Sequence, residues 1–185
     1  SDCVAHLYGD FVFAIYDPGD DAFFCARDHI GVKSMVYYHD NQTFAFASEI
    51  KALQSLDDVK YRVRDQWVLD YLVHIIADNT STAYDTIFKL PPAHTLLITR
   101  NDTPVLKRYW SLNETSSVQY NSEKEWIDAL EEKMAAAVKE RCRSAFAVGS
   151  ELSSGVDSAA ITALAQKITA GITSFSNVMD ERGVV

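Results

Sequence analysis

Residues 147–160 read Ala-Val-Gly-Ser-Glu-Leu-Ser-Ser-Gly-Val-Asp-Ser-Ala-Ala, and no other stretch restricts so tightly how the chain can fold and what it can bind. Upstream, residues 145–152 have the character of a short strand running into a turn. Downstream, Ala160, Ile161, Leu164 and Ile168 share one helical face, which predicts a helix over 158–169. Small residues between a strand end and a helix start leave the N–H groups of the first helical turn open. Together with the positive end of the helix dipole they form an anion site. Ser153, Ser154 and Ser158 add hydroxyl donors, and Asp157 is placed to hold a divalent cation. A polyphosphate neutralised by such a cation, ATP with Mg2+, suits this combination. The geometry alone also describes an ordinary helix start capped by serine or aspartate. Gly-x-x-x-x-Gly-Lys-Ser/Thr is absent and no lysine follows the turn, which argues against a P-loop kinase or GTPase.

The run Ser153-Ser154-Gly155-Val156-Asp157-Ser158, with Glu151-Leu152 before it and an alanine-rich helix behind, resembles the Ser-Gly-Gly-x-Asp-Ser loop of the ATP pyrophosphatases, and among them the asparagine synthetase family. The resemblance implies a loop that grips the pyrophosphate of ATP while a substrate carboxylate attacks the α-phosphate; ammonia then opens the acyl-adenylate. It places Ser153, Gly155, Asp157 and Ser158 on the pyrophosphate and its Mg2+, and Leu152 beside the adenine. Two residues depart from the pattern. Ser154 stands where the family has the first of two glycines, and if that position demands a positive φ its Cβ costs about 1–2 kcal/mol. Asn177 stands where the family more often carries an aliphatic residue by the adenine.

The rest of the chain alternates between extended and helical patterns. Strands are expected at 9–17, 22–27, 34–39 and 43–48, separated by Pro18-Gly19, by 28–31 and by a short hairpin connection at 40–42, which reads as an antiparallel meander. Helical spacing follows at 49–56 and at 65–76, the second with Asp65 as its cap and Val68, Leu69, Leu72, Val73 and Ile76 on one side. Extended segments return at 87–90, 95–99 and 105–110, with Asn101-Asp102 as a turn. Residues 111–121 turn polar and mark a linker between a domain at 1–114 and a second at 115–185. Ser122 and Glu125 form a capping box opening a long helix striped by Trp126, Leu130, Met134, Val138 and Cys142, and a further strand begins at 172–179. The fold class expected is α+β, followed by the start of an α/β domain.

Several segments resemble the asparagine synthetase family in that family's order: residues 9–17, 26–33, 46–53, 90–94 and Tyr109-Trp110. The likeness runs over residues 3–176 and implies that the first part is the latter half of an N-terminal-nucleophile glutaminase sandwich, whose cysteine hydrolyses glutamine and sends ammonia through a tunnel. The segments that would carry that cysteine, and the later synthetase segments, are expected outside this stretch. By itself the stretch is therefore expected to lack glutaminase activity and to bind ATP or pyrophosphate weakly at most. The reaction implied is aspartate, ATP and glutamine to asparagine, AMP, pyrophosphate and glutamate. A related synthetase with another acceptor, of the β-lactam synthetase or macrocyclase type, and a non-catalytic interaction module are the rival readings.

Other residues invite chemistry and are better read as structure. Cys3 lies upstream of the Gly-Asp-Phe strand without a free amine as base, and Ser1 is a formal N-terminal hydroxyl; neither is expected to be a nucleophile. His29, His74 and His94 share no ligand spacing, Arg27, Asp28 and Lys33 suggest a bracing turn, and Asp180-Glu181 suggests a solvated charge cluster. The 26 acidic against 17 basic residues speak against a nucleic-acid or anionic-membrane surface. Three scattered cysteines have neither zinc nor disulfide spacing and predict reduced thiols, hence a cytoplasmic location. No apolar run approaches a membrane span or a signal peptide. A homo-oligomer is compatible with this composition, which sets no oligomeric state.

Overall fold

A computed structural model describes residues 2–40, 42–75, 78–100, 102–112, 118–169 and 171–178. The chain divides into two compact units, Ser1–Glu114 and Thr115–Val185.

The first unit is built on β1 (Val12–Asp17), β2 (Ala22–Arg27), β3 (Val36–His39), β4 (Phe44–Ala47), β5 (Ile87–Lys89), β6 (His94–Thr99) and β7 (Val105–Arg108). They form two antiparallel sheets, one in the order β1-β2-β6-β7 and one in the order β4-β3-β5. The meander expected of the first third is corrected here: it resolves into two hairpins in different sheets. β2 takes β6 as its second neighbour, Cys25 opposite Leu96 and Phe23 opposite Ile98, and β3 takes β5. The period-2 alternation of β3 explains why. Tyr37 joins Cys25, Met35, Leu90, Leu96 and Ile98 in a cluster drawn from both sheets, while Val36 and Tyr38 point the other way, with Leu53, Val59 and Ile87. Leu53 belongs to α1 (Ile50–Gln54), which covers that face.

The switch between sheets occurs at residues 28–33. Asp28 is fully buried, and its carboxylate accepts the amides of Ile30 and Val32 at Oδ1 (3.2 and 2.9 Å) and of Lys33 at Oδ2 (2.9 Å). Arg27 donates to the carbonyls of Lys33, Gly31 and Leu90 at 2.6, 2.6 and 2.7 Å, tying the turn to the end of β5. Burial alone would raise the Asp28 carboxyl, but the amides of Lys33, Val32, Gly31 and Ile30 outweigh it and hold the group below its ordinary range. This is the packing role expected of Arg27 and Asp28.

α2 (Asp65–Leu72) is shorter than predicted, and Ile76 at the end of the expected helix lies outside the described residues. Arg64, not Asp65, is its N-cap; Asp65 occupies the first turn, where its charge favours the dipole without a capping bond. The helix buries none of its residues, so its apolar face, Val68, Leu69 and Leu72, stays exposed.

In the second unit the capping box forms. Ser122 Oγ accepts the Glu125 amide at 3.3 Å and opens α3 (Glu123–Arg141), while Glu125 reaches back to the amide of Asn121 at 2.7 Å. Of the predicted stripe only Val138 is buried; Trp126 and Leu130 are more than half exposed. Residues 113–117 of the expected linker, Asn101 of the expected turn, and Ser1, Met179, Asp180 and Glu181 lie outside the described residues. Next come β8 (Gly149–Glu151), α4 (Val156–Ile168) and β9 (Thr173–Phe175), with β8 and β9 parallel. Parallel neighbours require a crossover, and α4 supplies it. Among the described residues no helix is long and apolar enough to cross a membrane.

Candidate functional site

β8 and β9 pair as Gly149 with Thr173, Ser150 with Ser174 and Glu151 with Phe175, so both strands point their carboxyl ends the same way. Ligands of open parallel sheets bind outside such ends. Gly149 has a specific reason to lack a side chain: a Cβ there would stand 2.8 Å from the Phe175 ring. Just past the strands the ladder continues, Leu152 N donating to Phe175 O at 2.8 Å and Ser176 Oγ to Leu152 O at 2.7 Å. Half-buried Leu152 is therefore bonded to the residue next to Asn177, which is exposed.

The loop between β8 and α4 is exposed from Ser153 to Asp157. α4 begins at Val156, two residues earlier than its apolar spacing predicts, because Gly155 is already extended (φ −78°, ψ 149°) and serves as N-cap. The Ser153 and Ser158 hydroxyls lie 2.9 Å apart. Ser158 Oγ accepts the Ser153 amide at 3.2 Å, and Ser153 Oγ accepts that of Gly155, also at 3.2 Å. Two amides are thus occupied by serine oxygens. Those of Ser154, Val156, Asp157 and Ser158 hold no hydrogen bond to any described residue and open to solvent at the positive end of α4.

The strain considered for Ser154 does not arise. Among the described residues, positive φ outside glycine occurs only at Asp21, His74 and Ala93, so Ser154 carries its Cβ in an ordinary conformation. Even Gly155 has room for one, the nearest atom being Ser153 Oγ at 3.3 Å.

Asp157 sits in the first turn of α4, exposed, and no bond to it is seen among the described residues. No group of three or more His, Cys, Asp or Glu among the described residues could hold a metal. A Mg2+ that arrives with a polyphosphate keeps phosphate and water ligands and asks only one or two carboxylates of a protein, and Asp157 is the acidic residue of the first turn of α4. Ser150, Thr162 and Ser176, which the spacing did not single out, lie beside the loop: Ser150 Oγ is 2.7 Å from Thr162 Oγ1, which donates to Ser158 O at 2.8 Å. Nothing in a period or motif marks a serine on a strand as the partner of a threonine nearly two turns into the next helix.

The first unit offers other polar groups, each with structural work. His29 stands edge-on to Tyr109 and Trp110, with ring centroids 5.3 Å away, and His94 Nδ1 lies 2.7 Å from Pro92 O. Burial pushes the Cys25 thiol up to about 12. A concavity of about 610 Å³ opens where the hairpin ends meet, but its carboxylates are already bonded: Asp21 to Tyr16 and Arg100, Asp40 to Tyr38, Gln42 and Thr43, Asp102 to Thr99. A second, of about 350 Å³, lies beside the stacked rings of Trp67 and Tyr71.

Residues 1–110 match the model of the glutamine amidotransferase domain, and residues 129–184 match that of asparagine synthase. The chain belongs to the glutamine-hydrolysing asparagine synthetase family. Asparagine synthetase 3 of Bacillus subtilis is 34% identical over 166 residues, 89% of this chain and 26% of that protein. Putative asparagine synthetase 2 of Methanocaldococcus jannaschii is 29% identical over 91% of this chain and 33% of its own length. Amidase chry2 of Gibberella zeae is 25% identical over 94% of the chain and 26% of its own. The chain thus spans about a quarter to a third of the length of these curated relatives. The asparagine synthetase family is one of ligase enzymes, and the two matched domains occur here in the order glutaminase, then synthetase.

Proposed function

We propose that this chain is part of a cytoplasmic, glutamine-dependent, ATP-driven synthetase that converts aspartate to asparagine through β-aspartyl-AMP. The observation that carries this reading is the open loop at the carboxyl ends of β8 and β9, with the amides of Ser154, Val156, Asp157 and Ser158 unspent, in a chain of the asparagine synthetase family. These amides, with the hydroxyls of Ser153 and Ser158, bind the pyrophosphate portion of ATP; the Ser153–Ser158 bond opens so that both hydroxyls turn to phosphate oxygens. Asp157 would hold the Mg2+, which would supply positive charge against the polyphosphate. Leu152 and Asn177 flank the adenine. The first unit contributes part of an N-terminal-nucleophile glutaminase sandwich that supplies ammonia, and the second begins an ATP-pyrophosphatase domain.

Titrating the chain calorimetrically with Mg-ATP, as wild type and as Asp157→Ala, tests the assignment. The variant should bind at least fivefold more weakly; equal affinities would remove the metal role given to Asp157. A second acceptor class is favoured by one observation, the 25% and 24% identity to proteins named amidases, chry2 and chyE. An amide-forming relative with another carboxylate in place of aspartate would show itself in product analysis of the complete polypeptide.

A further inference from the structure

We infer that Ser150 and Thr162 are positioning residues for the anion loop, acting through Ser158. The inference rests on the reading of that loop as a pyrophosphate site. Two hydroxyl links hold α4 here, one from the loop and one from β8, about one helical turn apart. The outer one is Ser153 to Ser158, 2.9 Å between oxygens; the inner one is Ser150 to Thr162, 2.7 Å. Thr162 has a single hydroxyl hydrogen, and it goes to the carbonyl of Ser158 at 2.8 Å. Ser150 must then be the donor to Thr162, and the chain of bonds runs Ser150 to Thr162 to the backbone of Ser158. Ser150 and Thr162 are half-buried, unlike the loop itself, so water competes less for the inner link.

The consequence is directional. The outer link has to break when Ser153 and Ser158 turn toward phosphate. The inner link remains and keeps α4 at its distance and rotation against β8, so that the open amides of the first turn hold their aim with ligand bound. The Thr162 hydroxyl also bonds the carbonyl of Ser158, four residues back, at the end of the turn that carries the open amides.

Titration of the chain with Mg-pyrophosphate separates this from simple packing. Thr162→Val keeps the shape and loses the hydroxyl; Thr162→Ser keeps the hydroxyl and loses a methyl. Thr162→Val and Ser150→Ala should each weaken binding about threefold to tenfold, the worth of one hydrogen bond. Thr162→Ser should stay within about twofold of wild type even if its melting temperature falls. Wild-type affinity in Thr162→Val, or equal losses in the Val and Ser variants, overturns the inference and leaves the loop assignment standing. Failure of the wild-type chain to bind Mg-pyrophosphate overturns both.

Discussion

Replacing Asp28 by asparagine should cost the first unit about 3 kcal/mol. The side chain is fully buried and accepts three amides, two at Oδ1 and one at Oδ2. Asparagine keeps an acceptor for Ile30 and Val32 but turns an NH2 group toward the Lys33 amide. One hydrogen bond to a charged group is lost, worth roughly 1.5–3 kcal/mol, and a buried donor is left unpaired at a further ~1–3 kcal/mol; partial relaxation brings the sum down toward 3. A domain of this size has about 5–15 kcal/mol in total, so the variant still folds. With a slope of about 1–3 kcal/mol per molar urea, the midpoint should fall by about 1.5 M. Fluorescence of Trp110, whose ring lies 5.3 Å from His29 at the same turn, reports the transition. The pH dependence has a definite sign. The Asp28 carboxyl is held below its usual 3.8, so its stabilisation is complete above the unfolded value and is lost as pH falls through the folded one. The gap between wild type and Asp28→Asn should therefore be constant from pH 7 to 5 and narrow below about pH 4. A midpoint shift under 0.3 M, or a gap that widens in acid, would refute the role given to this carboxylate.

Three further outcomes are expected. Gly31→Ala should destabilise the same turn by about 2 kcal/mol or more in urea denaturation, because φ is +75° there and a Cβ would stand 2.8 Å from Pro92 Cγ and 2.9 Å from the Arg27 guanidinium. Ser154→Gly should leave Mg-ATP affinity within twofold of wild type, since no strain is present to relieve, while lowering stability by a few tenths of a kcal/mol through added backbone freedom. Cys25, fully buried with its thiol pushed up to about 12, should resist iodoacetamide in the folded chain at pH 8 and react once urea unfolds it; mass spectrometry of the labelled peptide decides.

Local signals were legible in the sequence wherever chemistry is local. The capping box at Ser122 and Glu125, the strand at Ala22–Arg27 and the helix after the serine-rich turn stand close to where their residue types put them. Pairing was not legible. β2 finds its second neighbour some seventy residues on, and alternation says which residues face a core but not which strand lies alongside. Apolar spacing places the start of α4 two residues late, because it marks one face of a helix and not its cap, which is Gly155. In the loop, the residue types pointed to an anion, but the consumption of the Ser153 and Gly155 amides by serine oxygens depends on side-chain directions that no spacing encodes. The same holds for Ser150, Thr162 and Ser176, whose hydroxyls stitch the strands and α4 together.

The most direct measurement is the 1H–15N spectrum of the chain as Mg-pyrophosphate is added. Anion capture by the strand–helix turn predicts that the amides of Ser154, Val156, Asp157 and Ser158 shift together with one saturating dissociation constant, while those of β1 and β2 stay in place. Amides of residues 154–158 that do not move at millimolar ligand, or shifts confined to the first unit, would contradict it.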